Sequence, residues 1–115
     1  MPTCNIITNV PGNSLDNSDI LKALSKAVAS SVGKPEQWVM CSLTTDKPMI
    51  YGGVEAPCAY GELISIGAIG GEKNKAISTA IAAVLQQKLN VDPSRFYLKF
   101  VDVGRSDFGW NGSTF

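Results

Sequence analysis

Not one of the 115 residues is a histidine. That absence removes the side chain that ordinarily moves protons near neutral pH and most often binds transition metals. No charge surplus exists either: ten Lys and Arg balance ten Asp and Glu. A neutral chain is not held on nucleic acid or on an anionic membrane by bulk charge. Low net charge also makes self-association electrostatically cheap. Cys4, Cys41 and Cys58 are widely spaced and contain no Cys-x-x-Cys. Without histidine such a set does not suggest a zinc site, so no metal and no cofactor is expected, and the thiols are read as free in a reducing compartment. No basic leader with an apolar stretch opens the chain, and no run of about 18 apolar residues occurs, so no membrane partner is expected. The expected location is cytoplasmic, with release by a route that needs no signal peptide left open.

What is present begins at the second residue. Met1 precedes the small residue Pro2, so an aminopeptidase is expected to remove it, leaving a secondary amine at the terminus. An α-amino group titrates at about 7.7–8.0. Apolar burial or a nearby cation lowers that value, because both disfavour the charged form. A neutral amine near physiological pH is a competent general base. The plainer alternative is that Met-Pro is merely a common, well-processed start. The remaining composition, 44% hydrophobic and 17% charged, fits a folded chain rather than a disordered one. Its length suits one domain, 1–115, which buries roughly two-thirds of its unfolded surface.

The chain reads as one unit written twice, with halves at about 2–52 and 58–110. Thr3–Val10 alternates apolar and polar residues and predicts a strand. Pro11-Gly12-Asn13-Ser14 breaks it. Asn17 or Ser18 is placed to cap a helix, with Asp19 at its positive end. Ile20, Leu21, Leu24, Ala27, Val28 and Val32 then share a face, and Gly33 ends the helix. Trp38–Thr44 is a second strand. After Pro57, Cys58–Ile66 predicts a strand, 67–71 a glycine-rich loop, and Glu72–Leu89 a helix with Ile77, Ala80, Ile81, Val84, Leu85 and Leu89 in one stripe. Asn90–Pro93 stops that helix, and Phe96–Val103 is the last strand. The segment Lys34–Trp38 corresponds to Asp92–Phe96 at an offset of 58. The fold class is α/β (α+β in some schemes): two βαβ units, parallel within each unit, forming a four-stranded sheet with both helices on one face.

Two helices cover one sheet face only. The other is expected to carry Cys4, Ile6, Trp38, Met40, Ile64, Ile66 and Leu98, or their alternates in the opposite register. Strands apolar on both sides need cover on both sides, and oligomerisation supplies it economically.

At this point the motifs converge. Met1-Pro2, Gly33-Lys34-Pro35, Tyr51-Gly52-Gly53, Ser65-Ile66-Gly67, Arg95-Phe96-Tyr97 and the ending Gly109–Phe115 (GWNGSTF) together resemble the macrophage migration inhibitory factor and D-dopachrome tautomerase family of the tautomerase superfamily. The resemblance runs from Pro2 to Phe115, and GELISIGAIGG and SRFYLKF look most like plant or algal members. It implies a homotrimer whose sheets form a barrel, with active sites at subunit interfaces. The implied activity is keto–enol tautomerisation of small aromatic α-keto acids such as phenylpyruvate and hydroxyphenylpyruvate, or of dopachrome-like compounds. The N-terminal proline is the base.

Carried over by position, Pro2 matches the catalytic proline and Lys34 the lysine that meets the substrate carboxylate. Ser65 and Ile66 match the segment whose backbone contacts substrate, and Tyr97 a tyrosine supplied by a neighbouring subunit. Trp110 and Phe115 match the aromatic wall. Three departures stand out. Lys99 replaces an asparagine of animal members and adds a second cation. Trp38 replaces a pocket-mouth tyrosine, and Phe108 a smaller apolar residue, so the walls are bulkier. The animal Cys-x-x-Cys becomes Cys58-Ala59-Tyr60-Gly61, so its thiol chemistry is not expected here. Each residue also has a plainer reading: Lys34 as a solvated cation at a helix end, Tyr97 and Trp110 as core aromatics, Gly52-Gly53 as a turn, Glu62 as half of a rim or interface pair. Two functions therefore stand side by side. One is a tautomerase using Pro2. The other is a cytokine-like interaction protein with a receptor or other protein partner and a vestigial pocket.

Overall fold

Strict four-residue spacing builds the core. The computed structural model describes residues Met1–Phe115. Helix α1 (Asn17–Val32) buries Ile20, Leu24, Val28 and Val32, and α2 (Gly71–Leu89) buries Ile77, Ile81, Leu85 and Leu89. Residues four apart lie on one face of a helix, so each helix presents a single narrow ridge to the sheet. The flanking members of the expected stripes, Leu21, Ala27, Ala80 and Val84, are only half-buried.

Four strands receive those ridges: β1 (Thr3–Thr8), β2 (Met40–Thr44), β3 (Ala59–Ser65) and β4 (Phe96–Asp102), in the order β2-β1-β3-β4. Pairing is parallel for β1 with β2 and for β3 with β4, and antiparallel for β1 with β3 at the centre. This is the expected two-unit sheet, its halves joined along β1 and β3. Gly61 makes the central contact close: a Cβ there would stand 2.6 Å from Ile6 Cδ1 and 3.1 Å from Leu98 Cδ1. Lys88 near the end of α2 reaches Asp19 at the start of α1 at 2.7 Å, which ties the two helices on their solvent side.

Local signals differ from expectation in small ways. The α1 cap is Asp16, whose carboxylate accepts the Asp19 N–H at 3.1 Å, rather than Asn17 or Ser18; both of those already lie in the first turn. Gly33 closes α1 with φ of 78°, the left-handed geometry expected of it. Trp38 belongs to a 3-10 turn (Glu36–Trp38) rather than to a strand, and the corresponding junction of the second unit makes the same kind of turn at Pro93–Arg95. Pro11–Ser14 folds into a short 3-10 turn at Gly12–Ser14. Gly52 and Gly53, both at positive φ, make the turn between Tyr51 and Val54.

The uncovered face needs correction. Cys4, Ile6 and Leu98 point toward the helices, Cys4 and Ile6 fully buried there. Trp38 and Ile66 lie outside the strands. Of the residues expected on the open face, Met40 and Ile64 remain. Around them alternation places Thr3, Asn5, Ser42, Thr44, Glu62 and Lys99 together with Ile7, Tyr60, Tyr97 and Val101. This face is therefore mixed, with a polar row crossing it in register: Ser42 beside Asn5, Asn5 beside Glu62, Glu62 beside Lys99. Ser42 Oγ donates to Asn5 Oδ1 at 2.7 Å, and Tyr60 Oη donates to Glu62 at 2.9 Å. The large exposed apolar residues sit toward the margins: Met40 on edge strand β2, Tyr97 on edge strand β4, Ile50 and Val54 in the connection between the units, and Trp110 near the chain end.

Candidate functional site

The chain end brings three aromatic rings, Phe108, Trp110 and Phe115, to Trp38 and the N-terminus. Strands β5 (Gly109–Trp110) and β6 (Ser113–Thr114) form a hairpin turned by Asn111 and Gly112, both at positive φ. The Asn-Gly pair is the sequence signal for such a two-residue turn. The hairpin carries Phe115 back so that its N–H donates to the Phe108 carbonyl at 3.2 Å. Phe115 becomes the hub of the cluster. Its ring stacks on Trp110 at 5.4 Å between centroids and 11° between planes. It meets Phe108 edge-on at 5.8 Å and Trp38 edge-on at 5.9 Å, while Trp38 and Trp110 touch at 5.2 Å. These are the offset and T-shaped geometries that the ring quadrupole favours.

A cleft of about 230 Å³ lies against this cluster, lined among others by Met1, Trp38, Met40, Phe108, Trp110 and Phe115. Hollows of about 320–340 Å³ elsewhere, along α2 and around Pro48–Glu55, gather no more than one aromatic ring each. The smaller cleft is the one at which the terminal amine and the aromatic wall meet.

Pro2 is fully buried just before β1, and its carbonyl accepts the Met40 N–H at 3.1 Å. With Met1 in place its nitrogen is an amide, and the free amine belongs to Met1. That amine titrates below the ordinary α-amino value, first because it is partly buried and second because the Lys34 charge is close. Lys34 is held there by the end of α1: the Gly33 and Lys34 N–H groups both donate to the Ala29 carbonyl, at 2.9 and 3.1 Å. Burial and a neighbouring cation are the two effects that turn an amine into a base near neutral pH.

Ser65 and Ile66 lie at the same end of the sheet. Thr3 pairs with Ile64, so continuing the antiparallel register sets Pro2 level with Ser65. Ser65 itself is buried, and its hydroxyl donates to the Gly67 carbonyl at 2.7 Å; its side chain is committed to that turn. Tyr97 and Lys99 lie apart. Tyr97 is level with Tyr60, and Tyr60 with Ile7, five residues along β1 from Pro2. At about 3.3 Å per residue that is about 16 Å along the strands. Tyr97 packs edge-on against Tyr51 at 5.1 Å and is 64% exposed. Lys99 stands opposite Glu62 in mid-sheet without closing an ion pair. A single chain thus brings Pro2, Lys34, Trp38, Phe108, Trp110 and Phe115 to one end and leaves Tyr97 and Lys99 facing outward at β4.

No group of three or more histidine, cysteine, aspartate or glutamate side chains is placed to hold a metal ion. No helix is long and apolar enough to cross a membrane.

A doubly written βαβ sheet with an aromatic hairpin folded over its N-terminal strand defines a narrow class of small proteins, and comparison with known proteins names it. The family model for macrophage migration inhibitory factor (MIF) matches residues 1–115. The chain is 40% identical over 115 residues to a macrophage migration inhibitory factor homolog of Trichuris trichiura, covering the whole of both chains. Its fold superposes on the crystal structure of the homologue from Prochlorococcus marinus with a TM-score of 0.93, at 38% identity and 98% coverage of each chain. The factor from Trichinella spiralis gives 0.92 at 34% identity, covering 98% of this chain and 99% of that one. The chain belongs to the macrophage migration inhibitory factor family.

Proposed function

We propose that this chain is a keto–enol tautomerase of small aromatic α-keto acids, with Pro2 as the general base once Met1 is removed. The observation that carries the reading is the terminal amine, lowered by burial and by Lys34, at the mouth of an aromatic cleft. Removal of Met1 moves the free amine onto Pro2, one residue deeper in the same place.

The chemistry follows from the placement. A planar aryl group lies in the cleft against the wall formed by Trp38, Phe108, Trp110 and Phe115. The carboxylate meets Lys34. The neutral Pro2 nitrogen takes a proton from the carbon next to the ketone, the electron pair moves onto the carbonyl oxygen, and the protonated amine returns the proton there; the reverse path runs from enol to ketone. Lys34 serves twice, binding the carboxylate and keeping the amine unprotonated. The backbone at Ser65–Ile66 borders the reacting end. Tyr97 and Lys99, which face outward from β4, complete the site of a neighbouring copy in a homotrimer.

The test uses the purified full chain. Intact mass establishes whether Met1 is absent, and phenylpyruvate tautomerisation is followed across pH. The Pro2→Gly variant is expected to lose at least about tenfold in turnover, the scale of a positioned base, with its oligomeric state unchanged. Wild-type-like turnover by that variant, or by chain that retains Met1, would overturn the reading and leave the interaction-protein alternative.

A further inference from the structure

Two of the three cysteines stand side by side. Cys4 on β1 and Cys41 on β2 are direct partners in the parallel register. Neighbouring strands lie about 4.8 Å apart, inside the roughly 4.4–6.8 Å span of Cα atoms that a disulfide bridges. Both side chains point to the helix side of the sheet, where Cys4 is fully buried and Cys41 packs against the core from a half-exposed position. The two thiols are near enough to shift each other's titration, Cys41 downward and Cys4 upward. The third thiol is remote: Cys58 precedes β3 next to the Ala59–Thr8 pair, five residues along β1 from Cys4, or about 16 Å.

We propose that Cys4 and Cys41 form a redox-sensitive staple, closing an intrachain disulfide when the chain meets a peroxide. Cys41 is the half that solvent reaches. Its sulfur attacks one peroxide oxygen, the O–O bond breaks, and a sulfenic acid and one water result. The Cys4 sulfur then attacks the Cys41 sulfur and displaces hydroxide, which leaves as a second water with the Cys4 proton. Two thiols lose two hydrogens, and one peroxide becomes two waters. The neighbouring Cys4 holds the Cys41 thiol below the ordinary thiol range, while Cys41 first and burial second hold Cys4 well above it. That asymmetry makes Cys41 the attacking thiol and Cys4 the resolving one. The staple would pin β1 to β2 one residue from the Pro2–Met40 hydrogen bond, whether or not Pro2 is a base.

The experiment treats the native full chain with a small molar excess of hydrogen peroxide, quenches it, alkylates remaining thiols after denaturation, and maps peptides without reduction. The expected product is a single crosslinked peptide pair joining Cys4 to Cys41, with Cys58 still alkylated and full reversal by dithiothreitol. Cys58→Ser is expected to crosslink like the wild type. Cys41→Ser and Cys4→Ala each abolish the crosslink; if either folds poorly, the wild-type map alone still decides. Over-oxidation of Cys41 to sulfinic acid with Cys4 free, a crosslink between two chains, or reaction at Cys58 ahead of the pair would each overturn the proposal.

Discussion

Replacing Phe115 with alanine tests the aromatic cluster most directly, because three ring contacts meet on this one residue: Trp38, Phe108 and Trp110. Aromatic pairs are worth about 0.5–1.5 kcal/mol each beyond area burial, so their joint loss removes about 1.5–4.5 kcal/mol. The hairpin that depends on them has two paired rungs, Gly109 with Thr114 and Trp110 with Ser113. An isolated two-stranded hairpin is marginal in water, so the whole loss falls on its docking. At about 1.4 kcal/mol per decade, the docked fraction relative to the open one drops roughly 10- to 1,000-fold. The four-stranded sheet and its helices bury a core that contains none of these rings, so the urea midpoint of the main fold should move little. Amide exchange at Trp110 and Ser113 should accelerate by the same factor, and tryptophan emission should shift red as Trp38 and Trp110 separate. If exchange and emission in Phe115→Ala match the wild type, the cluster is not what seats the hairpin and the wall assigned to the cleft is wrong.

Two other changes probe the terminus and the core. Lys34→Met removes one of the two causes that lower the Met1 amine and leaves the larger one, burial; in the proposed reading the same two act on the Pro2 amine once Met1 is gone. The rising limb of the turnover–pH profile should therefore move to higher pH without reaching the free-amine value of about 8. Because the amine is lowered in the folded chain, folding loses stability as pH falls through that window, and Lys34→Met should flatten this loss; an unmoved limb places the lysine charge elsewhere. Gly61→Ala forces a Cβ to 2.6 Å from Ile6 Cδ1. Overpacking of this kind costs about 1–3 kcal/mol, read as a lower urea midpoint at unchanged slope. Wild-type stability would show that Ile6 and Leu98 repack freely.

Periodicity made the framework legible. The four-residue spacing of Ile20, Leu24, Val28 and Val32, and of Ile77, Ile81, Leu85 and Leu89, marks each core ridge without reference to the rest of the chain. The glycine at 33 and the proline junctions at 35 and 93 mark the ends. Sheet register was harder, because β-branched or apolar residues occur at both parities of β1, as in Ile6-Ile7. A strand with apolar groups on both sides gives no parity of its own, and only the helices decide that Cys4 and Ile6 turn inward. The site was legible as a set of residue types but not as a place. Pro2, Lys34 and the rings are scattered from residue 2 to residue 115, and it is the Asn111-Gly112 turn that folds the last of them back onto the first.

The split between the two ends of the sheet bears on assembly. Pro2 and the rings lie at one end, while Tyr97 lies about 16 Å and Lys99 about 10 Å along the strands, on the outer edge strand β4, with side chains on the uncovered face. No rearrangement within one chain unites them, since β4 is locked in register to β3 over seven residue pairs. Either these two residues have no part in the chemistry, or they act on the cleft of another copy. The distribution of exposed apolar surface favours the second. Met40 on β2 is 67% exposed at the rim of the cleft, and Tyr97 on β4 is 64% exposed beside Tyr51 and the 50–54 turn. An edge strand left with unpaired backbone and large apolar side chains is an interface waiting for cover. Edge-to-edge packing of copies would cover both margins at once and carry Tyr97 toward a neighbour's aromatic wall. The mixed, partly polar sheet face, with Asn5, Glu62 and Lys99 in one row, would then line a water-accessible interior rather than a dry core.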